Sequence, residues 1–489
     1  MSKILLVYPN IYEPWMPMGL THISAYLKDN GHQVGLFDTT CYDISGEDSL
    51  QERYRKEGVF KDYPQWYQKR PATSFTVTKE LLTLVSDWQP DVVGMSIMTH
   101  DAWPLASEML VGLMHTYGTR HKALVVTGGV VPTITPRKLE GLCHVAIRGE
   151  GELMMVGIAT HPSVHFPDSG TNYYDGVPIE AERTGRYPSL DNLLYPDWDL
   201  MDWNLYGYWP FGSKVYRWGR FDRTRGCPNS CQYCIYSSRE YPRSMKRVRR
   251  KNNRRMIAEL QHYKRQYSLE RITFNDDNFL LGDHSDNYEF LVLYREHVGL
   301  PFIVTLHAAT IQKKWIVEAL KEAGCVHASV GIESGSPYIR DGILKRKVSE
   351  DTMLTAFDNL REVGIHTSSL NMIGLPYETL SLFRETIDLN RRLRPDKGMC
   401  FFFYPYEGTP IRQRALDAGF IDGDVGEVNF SNQSVMKLPH FPPGVMKRYK
   451  EQFNIMIRYP RYVDRVVGWL CSKSALLRRV FSKYREDKQ

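Results

Sequence analysis

Three cysteines in one short run, Cys227-Pro228-Asn229-Ser230-Cys231-Gln232-Tyr233-Cys234, have the residue type and spacing for inorganic chemistry. Thiolates at i, i+4 and i+7 on a loop can hold three corners of a cubane iron–sulfur cluster. No fourth cysteine lies close by, so one iron is left open for a ligand. An open iron marks a catalytic cluster rather than an electron relay. A structural zinc site asks for a fourth Cys or His near by, and His22 and His262 could join only by long-range folding. The other five cysteines (Cys41, Cys143, Cys325, Cys400 and Cys471) are scattered singly, which argues against a disulfide framework and for a reducing compartment.

Two β/α series surround this loop. Lys3–Tyr8 is predicted to be a buried strand, followed by a helical stripe of Leu20, Ile23 and Leu27 that Gly31 terminates. Gln33–Asp38, Val92–Met98, Ala123–Thr127 and His144–Arg148 read as further strands, and Val77, Leu81, Leu84, Val85 and Trp88 as a helix stopped by Pro90. This alternation predicts a doubly wound parallel sheet that binds its ligand at the carboxyl ends of the strands. From Arg220 a second series begins, with strands at Arg220–Thr224, Arg271–Asp276, Phe302–His307, His327–Glu333, His366–Ile373 and Met399–Tyr404. Helical patterns at Met353–Val363 and Leu380–Leu393 fall between them, which suggests a partial (β/α)6 barrel with its chemistry at the strand C-termini.

The predicted organisation is residues 1–157 as a Rossmann-like domain, 158–215 as an aromatic-rich connecting segment, 216–420 as the barrel and 421–489 as a mostly helical tail. In that tail Val466, Trp469, Leu470, Leu477, Val480 and Phe481 would line one helix face opposite Lys and Arg, a pattern compatible with peripheral membrane contact. The first residues do not form a signal peptide and no apolar run is long enough to span a bilayer, so a cytoplasmic protein is expected. Nine Lys or Arg and one acid fall between Arg239 and Arg255. Stacking aromatics are not interleaved there, which disfavours nucleic acid as the partner.

The cysteine spacing, with an aromatic before the last cysteine, resembles the radical S-adenosylmethionine (radical SAM) superfamily. On that resemblance Cys227, Cys231 and Cys234 ligate a [4Fe-4S] cluster whose open iron takes S-adenosylmethionine, and Tyr233 packs near its adenine. Gly331-Ile332-Glu333-Ser334-Gly335-Ser336 is similar to the ribose-binding segment, with Glu333 and Ser334 as contacts. Asn371–Glu378, including Gly374, resembles the adenine support, and Asp276 and Asp277 stand where many members contact the methionine amino group.

The first domain resembles the cobalamin-binding domain of cobalamin-dependent radical SAM enzymes of the class B methyltransferase type. Its segments Pro17–Leu20, Leu27–Val34, Val93–Ser96, Thr127–Gly129 and Arg148–Glu152 carry the likeness. It implies contacts from Ser96, Thr99, Thr127, Gly128 and Gly129. Where a lower axial histidine would come from an Asp-x-His-x-x-Gly motif, this chain reads Tyr8-Pro9-Asn10-Ile11-Tyr12-Glu13, so no protein histidine ligand to cobalt is expected.

The resemblance therefore implies a C-methyltransferase that methylates an unactivated carbon by way of a 5′-deoxyadenosyl radical and methylcobalamin. An electron donor such as flavodoxin or ferredoxin is implied as well. The alternative with the same cofactors is non-methylating chemistry: ring formation, contraction or oxidation. An alternative of another class is an RNA-binding protein or RNA-modifying methylthiotransferase, but such methylthiotransferases carry a second three-cysteine site near the N-terminus. Only Cys41 and Cys143 precede the run here. The substrate would be shaped by the linker aromatics and by His307, Tyr404, Tyr406 and Glu407 at strand ends; peptide or protein, lipid, tetrapyrrole and small molecule all stay open.

Overall fold

The computed structural model describes residues 1–459 apart from 13, 45–68, 118–122, 166, 168–169, 177–188, 212–213, 424 and 426–432. The amphipathic pattern read over 466–481 lies outside the described residues. The chain divides into two compact units, one of Met1–Pro228 with Ser238–Ile272, the other of Asn229–Ser237 with Thr273–Gln489.

The first unit is built on a six-stranded sheet. Its strands are β1 (Lys3–Tyr8), β2 (Gln33–Asp38), β3 (Val92–Ser96), β4 (Leu124–Gly128), β5 (Val145–Arg148) and β6 (Asn172–Asp175), in the order β2-β1-β3-β4-β5-β6. Every neighbouring pair runs parallel. Ile4–Val7, Val92–Met95 and Leu124–Val126 are almost wholly buried, as strands covered on both faces must be. The order changes direction between β1 and β3, which makes that place the sheet's topological switch point.

Helices α1 (Met18–Asp29), α2 (Ser74–Trp88) and α3 (Trp103–Thr116) alternate with these strands. The Thr73 side chain caps α2 by accepting from the Thr76 N–H, Val77, Leu81 and Val85 bury its inner stripe, and Gln89 turns left-handed just before Pro90. The segment after the sheet packs rather than hangs free. Trp198 is buried, stacked on Trp203 at 5.4 Å and 4.2 Å from Tyr263 of α4 (Asn253–Gln266). A hairpin follows, β7 (Tyr208–Phe211) with β8 (Lys214–Phe221).

In the second unit four strands run parallel in sequence order: β9 (Phe302–Leu306), β10 (Cys325–Glu333), β11 (His366–Ile373) and β12 (Lys397–Phe402). Another strand, Arg271–Phe274, lies where the chain passes from one unit to the other. Helices α5 (Lys314–Glu322), α6 (Glu350–Glu362) and α7 (Leu380–Leu393) connect the parallel strands. Ser349 and Thr379 cap α6 and α7 through their side chains. The strand expected at Arg220–Thr224 is instead Lys214–Phe221 and a separate Thr224–Arg225, because it is the second arm of the hairpin. Among the described residues of the tail, Pro443–Glu451 and Phe453–Arg458 are helical.

Candidate functional site

The cysteine loop enters through Gly226, whose φ of +91° no β-carbon would tolerate here, since one would collide with the Arg247 carbonyl. Cys231 is buried, and Cys227 and Cys234 are half-buried. Backbone bonds hold the loop on both sides: Gln232 N–H donates to Leu344 O at 3.0 Å and Gln232 O accepts from Ile411 N–H at 3.4 Å. Cys234 N–H closes on Cys231 O at 3.0 Å, and the Ser237 hydroxyl donates to Cys234 O at 2.7 Å. Among the described residues no three His, Cys, Asp or Glu side chains converge on a point that could hold one metal ion. A four-iron cluster offers a separate iron to each of the three thiols on this loop. The donor set therefore fits a [4Fe-4S] group with three protein ligands.

Beside Cys231 lies Arg346, which sequence reading missed. Its guanidinium is 4.0 Å from Cys231 Sγ, 3.4 Å from the Tyr233 hydroxyl and 2.9 Å from Gly331 O. Burial opposes its charge, yet Tyr233, Glu333 and Cys231 together hold it above the ordinary arginine value. Glu333 ends β10 with φ +66°, at an irregularity in the β10–β11 register, which is stored strain of the kind found at ligand sites. Burial pushes its carboxyl up, while Arg346 and a hydrogen bond from Tyr233 pull it back. Burial and Glu333 together keep the Tyr233 phenol neutral.

The neighbouring strand ends supply scaffold and surface. Ser334 is fully buried and its hydroxyl meets Ser336 N–H at 3.3 Å and Thr386 Oγ1 at 3.5 Å, so it shapes the Glu333 turn. His307, after β9, is held by Asn278 Oδ1, which accepts from its N–H at 3.1 Å, and burial with Arg346 lowers its pKa to about 4. Asp276 is buried and Asp277 exposed. Gly374 turns at φ +84°, and Glu378 Oε2 accepts from the Gly374 and Leu375 N–H groups at 2.7 and 3.3 Å.

Burial raises the Glu378 carboxyl to about 8. A folded pKa above the unfolded one means stability is complete below about 4.5 and is lost as pH rises through about 8. Glu378→Gln is accordingly expected to flatten the alkaline decline in melting temperature. Parallel melts of both proteins from about pH 5 to 9 check this.

In the first unit, the ends of β3 and β4 form a glycine-lined cradle. Gly129 has φ +100°, and a β-carbon there would lie 2.7 Å from Ile97 O. The Thr133 hydroxyl donates to Gly129 O at 2.6 Å and accepts from Gly149 N–H at 2.9 Å, tying the two glycine turns together. Beside Gly128 the space is open, with only Ile147 O at 4.0 Å. Ser96 and Thr99 are half-buried at this edge, whereas Thr127 is fully buried and spends its hydroxyl inward, near Cys143 Sγ at 3.4 Å. Asp101, unremarked in the sequence, sits just past the β3 end with burial raising it to about 7 and Oδ2 lacking a partner among the described residues. Such a cradle, at the strand C-termini next to the sheet's switch point, fits the nucleotide tail of cobalamin. Gly129→Ala should cost about 1–3 kcal/mol from the forced left-handed turn and clash, and lower cobalamin retention on gel filtration.

Three of the nine cations in the basic run, and Arg225 before it, are paired with carboxylates. Arg249 pairs with Glu150, Arg225 with Glu150 at 3.3 Å and Glu152 at 2.8 Å, and Lys251 and Arg255 both with Glu259 at 3.0 Å. Burial works against the Glu150 charge, but Arg225 and Arg249 hold its carboxyl below the usual range. His22 is fully buried and neutral, with Nδ1 3.2 Å from Leu194 O.

Comparison with known proteins agrees with both halves of this geometry. Residues 222–389 match the Radical SAM superfamily and residues 70–159 match the B12 binding domain. An uncharacterized methyltransferase of Pyrococcus horikoshii is 26% identical over 460 residues, covering 90% of this chain and 88% of that protein. The anaerobic magnesium-protoporphyrin IX monomethyl ester cyclase of Rubrivivax gelatinosus is 22% identical, covering 94% of this chain and 77% of the cyclase. Two solved structures share the fold. The radical S-adenosylmethionine methyltransferase TsrM from Kitasatospora setae has a TM-score of 0.60 at 18% identity, over 86% of this chain and 75% of that one. The cobalamin-dependent enzyme OxsB has a TM-score of 0.63 at 14% identity, over 99% and 72%. The cysteine loop, with Arg346 and Glu333 close by, lies within the Radical SAM match and the glycine cradle within the B12-binding match, so the chain combines a radical SAM domain with a B12-binding domain and is similar to cobalamin-dependent radical SAM enzymes.

Proposed function

We propose that this protein is a C-methyltransferase acting on an unactivated carbon. The observation that carries the reading is one chain holding both a three-thiolate loop and a cobalamin cradle, and a methyltransferase relative matched along nearly its whole length supports it. When bound, the cluster and S-adenosylmethionine supply the hydrogen-abstracting radical, and cobalamin supplies the methyl group.

The chain's own residues bind, orient and exclude water. Cys227, Cys231 and Cys234 would hold the cluster. The buried Arg346 guanidinium offers charged donors for a carboxylate, and Glu333 offers an acceptor for ribose hydroxyls. Tyr233, half-buried and held neutral by burial and Glu333, would pack against the adenine. Ser96, Thr99, Gly128 and Gly129 line the edge that would take cobalamin's tail. We assign the barrel to 216–420, the cobalamin domain to 1–157, the connecting segment to 158–215 and the tail to 421–489. A flavodoxin- or ferredoxin-type donor would provide the electrons. Among the described residues no helix is long and apolar enough to cross a membrane.

The cyclase relative, matched over 94% of this chain, favours one second reading: ring formation with the same cofactors. Mass spectrometry separates the two. With trideuteromethyl S-adenosylmethionine, candidate carboxylate or tetrapyrrole substrates should gain the intact labelled methyl. Deoxyadenosine release with an unlabelled product would favour the cyclase reading.

A further inference from the structure

Near the C-terminal end of β1 the first unit holds a cation that has no counter-ion among the described residues. Arg220, in β8, is 4% exposed, and among the described residues it makes no hydrogen bond and no ion pair. Its guanidinium lies on the Trp15 ring at 3.4 Å from the centroid, and 4.9 Å from that of Trp209. The two indoles meet edge to face at 5.7 Å, and the Tyr8 hydroxyl donates to Trp15 O at 3.3 Å, which fixes the stack to the last residue of β1. Burial has pulled the Arg220 pKa down to about 9.

The nearby carboxylate is already spent. Tyr206 and Thr40 donate to the two oxygens of Asp38 at 2.8 and 2.7 Å. The contrast with Arg225 and Arg249, each on a carboxylate, is chemical: stacking satisfies the face of a guanidinium but none of its N–H groups. A guanidinium fork with no acceptor among the described residues, on a residue that keeps a small solvent-facing area, can take one from outside. Trp15, 48% exposed, leaves an aromatic surface open to solvent beside those donors.

We propose that Arg220 binds an oxyanion group of the substrate, carboxylate or phosphate, with the apolar part of that molecule resting on Trp15. The word substrate rests on the enzyme reading above; the binding chemistry does not. Guanidinium suits both groups because its planar N–H fork matches two oxygens at once.

Isothermal titration of the reconstituted full-length protein with phenylacetate, phenyl phosphate and neutral phenylacetamide tests this without turnover. One or both anions should bind at least about tenfold more tightly than the amide, a margin one charge-assisted hydrogen-bond pair provides. Arg220→Gln should erase that preference and leave the melting temperature equal or higher, since an uncompensated buried charge is removed. Arg220→Lys should keep part of the preference as a point charge. Equal binding of acids and amide by the native protein would overturn the proposal, as would an undiminished preference in Arg220→Gln. Loss of cobalamin from Arg220→Gln, read from the visible spectrum, would overturn it too, because the oxyanion would then be the cofactor's phosphate. Failure of the enzyme reading shows separately, as absent deoxyadenosine with anion binding intact.

Discussion

Cys231→Ala is expected to abolish cluster loading and S-adenosylmethionine cleavage while the chain remains folded and still binds cobalamin. The loop owes its shape to main-chain bonds, Gln232 N–H to Leu344 O and Cys234 N–H to Cys231 O, and neither uses the thiol. Losing one small side chain should therefore cost only about 1 kcal/mol. Cleavage is another matter, because two thiolates cannot replace three as anchors of a cluster that keeps one iron open. Iron and sulfide analysis of the reconstituted variant should fall to background, with deoxyadenosine formation below detection. Cobalamin content should match the native protein, because its cradle is built from β3 and β4 of the other compact unit. Full cleavage by Cys231→Ala would remove the chemical basis of the account.

The second large effect is expected at Arg346. Arg346→Gln removes a cation that acts on Glu333 and Cys231 and leaves a half-buried carboxyl near a neutral amide. Losing the charged hydrogen bond to Gly331 O and leaving that carbonyl without its donor costs about 1–3 kcal/mol. The Glu333 pKa, already raised by burial, should climb further, because Arg346 is the first influence holding it down. Glu333→Gln added to Arg346→Gln should restore part of the stability, since the uncompensated acid is gone. It should not restore cofactor binding: S-adenosylmethionine affinity should stay at least about tenfold weaker in both. Recovery of affinity in the double variant would reduce Arg346 to a scaffold residue. Equilibrium dialysis with the cofactor and urea melts give the two readouts.

Much of the architecture is legible in the sequence because local pattern and tertiary role coincide. Lys3–Tyr8 is apolar throughout after its lysine and His366–Ile373 is a short run without Gly or Pro, and both are strands with the expected bounds. Leu380–Leu393 begins after a capping threonine and is helical over those same residues. The misses have a common cause: their roles arise from partners distant in sequence. Arg346 stands in Lys345-Arg346-Lys347, where three cations look alike; folding exposes the two lysines and buries the arginine 115 residues from Cys231. Arg249 reads as part of a charged run until Glu150, 99 residues away, is brought to it. Arg220 sits in a strand pattern where alternation alone would place it at the surface, and only the convergence of Trp15 and Trp209 buries it.

The most direct test of the central claim is a joint assay of the anaerobically reconstituted chain for cobalamin content and for deoxyadenosine released from S-adenosylmethionine with a low-potential reductant. The account predicts one cobalamin and one four-iron cluster per chain, with deoxyadenosine release that requires the cluster cysteines. Cleavage by a chain that retains no cobalamin, or cobalamin bound by a chain that never cleaves S-adenosylmethionine, would contradict it.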